Sequence, residues 1–416
     1  MASVCFYFQV HQPFRVKDYR VFDVGNDSEY FNDNSDRSIN NKKILNKIAG
    51  KCYLPANAVM LELLNKHPEF KISFSFSGVF LEQLEMFSPE TLESFQKLVT
   101  TGRAEVLEET YYHSLSFLYS PKEFRRQVEL HREKIQRLFD VTPTVFRNTE
   151  LIYNNALAVE VENMGYKGII AEGADHVLGW RSSNFLYRPQ GTKNIKLLLK
   201  NYRLSDDIAF RFSSKDWKDF PLTAPKFANW ANQVNGNGNV INLFMDYETF
   251  GEHQWEDTGI FNFLRHLPEE IYKHPDNDFI TPSEAIERYE PVSLLDVHNF
   301  MSWADVERDL SAWLSNPMQH GAIQSIYNLE NEVLRTCDDK LIDDWRKLQT
   351  SDHFYYMCTK WFNDGDVHKY FNPYNTPYEA FIAYMNAVQD LRLRTTEHHR
   401  RITANEPKKV LIKSLS

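Results

Sequence analysis

Two carboxylates stand where a packed core has little use for them. Asp246 and Glu150 each close an apolar β-type run, in NVINLFMDYE (239–248) and TVFRNTE (144–150). Burial or a neighbouring anion raises the pKa of such an acid. A pair of them suits acetal cleavage: one protonates the leaving oxygen, and the other traps or stabilises the oxocarbenium-like centre. Strand alternation puts Phe244, Asp246 and Glu248 on one face. Glu248 is therefore predicted to push the Asp246 pKa upward, which makes Asp246 the general acid/base and Glu150 the nucleophile. The competing reading is a pair of buried structural acids.

Other runs end in chemistry as well. The first ends in His11-Gln12-Pro13 and the third in Glu108, Glu109, Tyr111, Tyr112 and His113. The fourth carries Arg147 and Asn148, and the fifth ends in Glu172, Asp175 and His176 with Trp180 beyond. His253 and Trp255 follow Glu248 after a turn at Gly251. Ligands of parallel α/β proteins bind at the C-terminal edges of strands. His11, His113, Trp180, Glu248, His253 and Trp255 are accordingly substrate-binding candidates. Arg203, Asp206 and Asp207 either line a subsite or form a salt-bridge network.

Several chemistries lack their anchors. The 14 histidines include no pair at i, i+2 or i, i+4, so no metal is predicted. No G-x-S-x-G, P-loop or G-x-G-x-x-G is present, and no organic cofactor is predicted. The net charge of -10 disfavours nucleic acid and anionic membrane as partners. No run approaches the roughly 20 apolar residues of a membrane span. Cys5, Cys52, Cys337 and Cys358 are scattered, which reads as reduced thiols in a cytoplasmic protein. MASVCFYFQV lacks a basic n-region and reads as a first strand. Aromatics at 14% mean a large aromatic core or a ring-lined cleft.

The elements that must hold these residues are legible as seven β-type runs: 4–10, 71–77, 104–109, 144–150, 167–173, 196–202 and 239–248. Helical segments such as 56–67, 121–139 and 155–165 separate them. Such alternation predicts a parallel α/β sheet, open or closed into a barrel. After Pro291 the pattern turns helical, over 302–316, 321–337, 339–362 and 376–401. The reading is an α/β domain over 1–290 and an α-helical bundle over 291–416. An Asn/Asp/Ser tract (23–43) and NQVNGNGN (232–239) are predicted loops.

MDYETFGEHQW, together with FRNTELIYNN and VHQPFR, resembles glycoside hydrolase family 57, specifically its α-amylase branch. The likeness extends through GRAEVLEETYYHSL, EGADHVLGWRSSNFLYRP, LLLKNYRLSDDIAFRFS and MSWADVERDLSAWLSN. The resemblance implies an incomplete (β/α)7 barrel followed by a C-terminal helical bundle that packs on the barrel and closes the cleft. It implies a retaining mechanism on α-1,4-glucans without metal or organic cofactor. By motif, Glu150 falls on the nucleophile and Asp246 on the general acid/base. His11 and Glu105 fall on positions around the −1 sugar, and Trp303 and Asp305 on the cleft-closing segment. Relatives of other specificities often carry tryptophan where this chain has Arg147, which fits the amylase branch. The expected partner is an α-glucan: glycogen, starch dextrins or maltooligosaccharides. A 4-α-glucanotransferase would use the same intermediate. A metal-dependent polysaccharide deacetylase or mannosidase, or a non-catalytic glucan-binding protein, is the reading from another class.

Overall fold

The computed structural model describes residues 2–32, 39–360 and 372–405. Residues 33–38 of the polar tract and the end of the predicted 339–362 helix lie outside them. The described residues include ten strands: β1 Ala2–Val10, β2 Ile72–Phe76, β3 Ala104–Leu107, β4 Val145–Arg147, β5 Gly168–Ala171, β6 Arg188–Pro189, β7 Lys196–Leu199, β8 Val240–Asp246, β9 Asn277–Phe279 and β10 Leu294–Leu295. Each of the seven runs read from the sequence coincides with one wall strand, β1 to β5, β7 and β8, with β1 beginning two residues before its run.

All ladder pairs in the wall are parallel, in the orders β3-β2-β1-β8 and β4-β5-β7. The two sheets join where Glu108 bridges Phe146, with Arg147 N donating to Glu108 O at 2.8 Å. Between β7 and β8 the link is made by asparagines: Asn201 N donates to Asn242 O at 2.8 Å, and Asn242 Nδ2 to Leu199 O at 2.9 Å. The result is an incomplete (β/α)7 barrel. The short β9 pairs with the start of β1, and β6 with β10.

Alternation explains why these runs are strands. Val4, Phe6, Phe8, Phe74, Val106, Leu243 and Met245 pack outward in one apolar cluster with helices 54–66 and 260–272. Phe146, Ile169, Ala171, Leu197 and Leu199 do the same in a second cluster. The intervening residues Cys5, Tyr7, Leu107, Val145, Ile170, Leu198 and Phe244 fill the barrel interior. A strand buried on both faces reads as a near-continuous apolar run.

Two compact units divide the chain. One comprises Met1–Pro13 and Asn41–Leu314, the other Phe14–Asn40 and Ser315–Ser416. The division thus differs from a break at 290. Residues 291–314 stay with the barrel because β10 pairs with β6 and Met301 with Tyr153. Residues 14–40 join the helical unit because Tyr30 Oη and Gly25 N donate to Asp390, at 2.6 and 2.7 Å. Helices 317–327, 330–336, 339–347, 351–355 and 377–405 build that unit. The predicted helix over 302–316 is mostly turns, with helix only at Ser311–Leu314.

Candidate active site

Inward-facing positions turn polar at the C-terminal mouth of the barrel. Gln9, Ser75, Glu109, Arg147, Glu172, Lys200 and Asp246 continue the interior side of their strands. From Glu109 to Asp246 the charge types alternate around the wall. Arg147 Nη1 lies 3.6 Å from Glu109 and Lys200 Nζ 3.8 Å from Glu172, with Glu109, Arg147 and Glu172 fully buried. Charges taken from water need such partners. Burial raises the Glu172 pKa, with Lys200 and Arg308 pulling against it.

Glu150 follows β4 in a turn over Thr149–Leu151, with φ 57° and ψ 24°. Left-handed backbone is costly for a residue with a side chain and clusters at functional sites. Both carboxylate oxygens are held: His113 Nε2 lies 3.0 Å from Oε1, and Trp303 Nε1 donates to Oε2 at 2.8 Å. His113 also meets Glu109 through Nδ1 at 2.9 Å. Burial disfavours its charge, but bonds to Glu109 and Glu150 outweigh burial and push its pKa up to about 9. His113 is therefore an imidazolium near neutral pH, donating both ways. Glu109 resists burial too. It accepts from Gln9 and Ser75, and the charges of His113 and Arg147 hold its carboxyl far below the usual range.

Asp246 ends β8 in register with Gln9 and is partly buried. Burial first, and the Glu150 charge second, push its pKa up to about 6 against Arg147, Lys200 and His113. Here the structure corrects the expected role of Glu248. The strand stops at Asp246 and Glu248 lies in a short 3₁₀ turn, so strand alternation no longer applies. Its carboxyl accepts from Tyr53 Oη and from Gln12 Nε2. Burial, then Asp246, raise the Glu248 pKa to about 8. A group protonated at neutral pH brings no like charge to Asp246; Glu150 supplies that charge instead.

The other predicted residues divide. His11 stacks on His113 with ring centroids 3.9 Å apart and pairs with Ser77 Oγ at 2.6 Å. Trp303 joins the site as a hydrogen-bond donor. Arg147 and Lys200 lie over its ring, at 5.4 and 5.2 Å from the centroid. Asp305 sits in the same loop at φ 56°. Glu105 is not brought to the mouth. It pairs in register with Ser73 and Tyr7, one inward layer below Gln9 and Asp246, and accepts from Ser283 N at 3.0 Å. Burial raises its pKa to about 7.

His253 lies in the turn after Glu248, where burial lowers its pKa to about 4 and keeps it neutral. Trp180 and Trp255 are 89% and 57% exposed, each with one cation over the ring, Arg181 and Lys51. Arg203, Asp206 and Asp207 form ion pairs with Asp175, Lys200 and Arg211, as in the salt-bridge reading. The sequence reading includes Glu109 and Glu172 only as strand-end groups and Arg147 as a strand-end group and a mark of the amylase branch; Lys200 and Arg308 fall outside it. The signal that finds the first four is parity: each is the next inward residue beyond an apolar one.

An ionised carboxylate fixed by two N–H donors, beside an acid with a raised pKa, can attack an electrophilic carbon while a proton is delivered. The family model for glycosyl hydrolase family 57 matches residues 5–298. A protein of Methanocaldococcus jannaschii named "Putative alpha-amylase" is 43% identical over 398 residues, covering 93% of this chain and 83% of its own length. The branching enzyme of Pyrococcus horikoshii superposes with a TM-score of 0.65 at 13% identity, over 95% of this chain and 88% of that one. The α-amylase AmyC of Thermotoga maritima gives 0.60 at 13% identity, over 97% and 94%.

Proposed function

The chain belongs to glycosyl hydrolase family 57, and from that premise we propose that it cleaves α-1,4-glucosidic bonds with retention, Glu150 being the nucleophile and Asp246 the general acid/base. Glycogen, starch dextrins and maltooligosaccharides are the substrates. The carrying observation is the geometry of Glu150, both of whose carboxylate oxygens are held, by His113 and Trp303, at the barrel mouth where Asp246 ends β8; the Glu150 charge also favours a proton on Asp246. In the first step Glu150 attacks the anomeric carbon as Asp246 protonates the departing oxygen. His113 and Trp303 keep Glu150 aimed, and the buried Glu109 keeps His113 charged. The glycosyl bond then removes the negative charge of Glu150. Asp246 loses the neighbour that raised its pKa and becomes the base that deprotonates water in the second step.

Trp180 and Trp255, bare on much of their rings, are proposed as sugar platforms. His11 and His253 are proposed as contacts to the sugar. Free thiols at Cys5, Cys52, Cys337 and Cys358 support a reducing, cytoplasmic setting.

The test is turnover of maltoheptaose by E150Q and D246N, with circular dichroism to check the fold. Each change is expected to lower kcat by orders of magnitude, and proton NMR of the wild-type reaction to find the α-anomer as first product. Unchanged hydrolysis in both variants would sink the assignment. Products longer than maltoheptaose would mean that a sugar hydroxyl replaces water in the second step.

A further inference from the structure

We propose that Arg308 and Glu172 are positioning residues for the reaction, locking the loop that presents the Trp303 indole N–H to Glu150. The proposal rests on the reading of Glu150 as the nucleophile.

The loop from Ser302 to Asp309 is closed on itself. Ser302 N donates to Arg308 O at 3.0 Å, and Ser302 Oγ to Asp309 O at 2.6 Å. Just before it, Met301 and Tyr153 exchange backbone bonds of 2.9 and 3.0 Å. Asp305 and Arg308 both take left-handed backbone, at φ 56° and 51°. Such conformations persist in residues with side chains only when the surroundings over-determine them. Arg308 supplies the determination. Its Nη1 lies 2.6 Å from Glu172 Oε2, its Nη2 4.0 Å from Asp206, and its guanidinium 4.2 Å from the Tyr202 ring centre. Glu172 is fully buried beyond β5, so the anchor belongs to the rigid wall.

The other side of the loop meets Glu150 twice. Trp303 N donates to Glu150 O at 3.2 Å, and Nε1 to Oε2 at 2.8 Å. Glu172 also lies 3.8 Å from Lys200, one of the cations over the Trp303 ring. One buried carboxylate thus supports the indole from two sides: through Arg308 along the loop and through Lys200 at the ring. Breaking that support leaves the nucleophile chemically intact and loosens one of its two donors.

A double-mutant cycle in the full chain tests this, with kcat and KM measured on maltoheptaose for W303F, R308M and W303F/R308M. Each single change is expected to lower kcat by ~10- to 1,000-fold, the range for a lost donor or its support, with KM little changed. The double variant is expected to match W303F within about twofold, because R308M acts through the indole that W303F removes. R308K is expected to recover part of the loss. Additive losses, or wild-type kcat in R308M, would overturn the proposal. Should R308M not fold, E172Q takes its place with the same two outcomes. Additive losses beside an inactive E150Q overturn only the positioning role; an active E150Q overturns the assignment beneath it.

Discussion

Among the cations at the mouth, Arg147 pulls hardest on the proton of Asp246. It is fully buried, has no hydrogen-bond partner for Nε or Nη2 among the described residues, and its charge pulls the Asp246 pKa down from the value that burial and Glu150 would give. Replacing it with methionine removes that pull, so the Asp246 pKa rises. If Asp246 is the acid, the alkaline limb of kcat/KM falls near pH 6 in the wild type. In R147M it is expected at higher pH. Profiles on an aryl α-maltooligoside decide this, and an unmoved limb or one moved to lower pH contradicts it.

At the scale of elements, the turn after β8 depends on one glycine. Gly251 has φ 117°, and a Cβ there would lie 2.1 Å from Lys51 O. Gly251→Ala therefore forces backbone apart as well as straining φ, and a loss of more than ~1 kcal/mol is expected. Urea unfolding measures it; a variant as stable as wild type would mean that the turn relaxes freely. The wall strands were legible because their alternation repeats in every run, and Asp246 and Glu150 because an acid at an apolar end breaks it. The loop carrying Trp303 was not legible. Its apolar spacing imitates a helix, but Ser302 and Asp309 bond local backbone groups and Ser311, and such side chains compete with helix formation. Glu105 misled through its motif. Only register reveals that it lies a layer below the mouth.

For the molecule as a whole, the Glu109–His113–Glu150 chain, buried at its first two members, ties stability to pH. The pKa of His113 is raised to about 9 from an ordinary 6.5. Its contribution is fully present below about pH 6.5 and is lost as pH rises through about 9. Melting temperature is expected to fall between pH 7.5 and pH 10, and to fall less steeply in H113Q. Parallel curves for the two proteins would deny the link.

Among the described residues, seven other than glycine take positive φ: His113, Asp140, Glu150, Leu151, Asp305, Arg308 and Cys337. Five of them belong to the mouth or to the loop that serves it. For protein engineering this sorts the chain in advance. Glycine relieves such backbone at no steric cost, and Asp140 and Cys337 can be varied for robustness alone. At the other five, added robustness comes out of turnover, because the same strained backbone aims the reacting groups. Selection for heat resistance and selection for activity would therefore settle on different parts of this sequence.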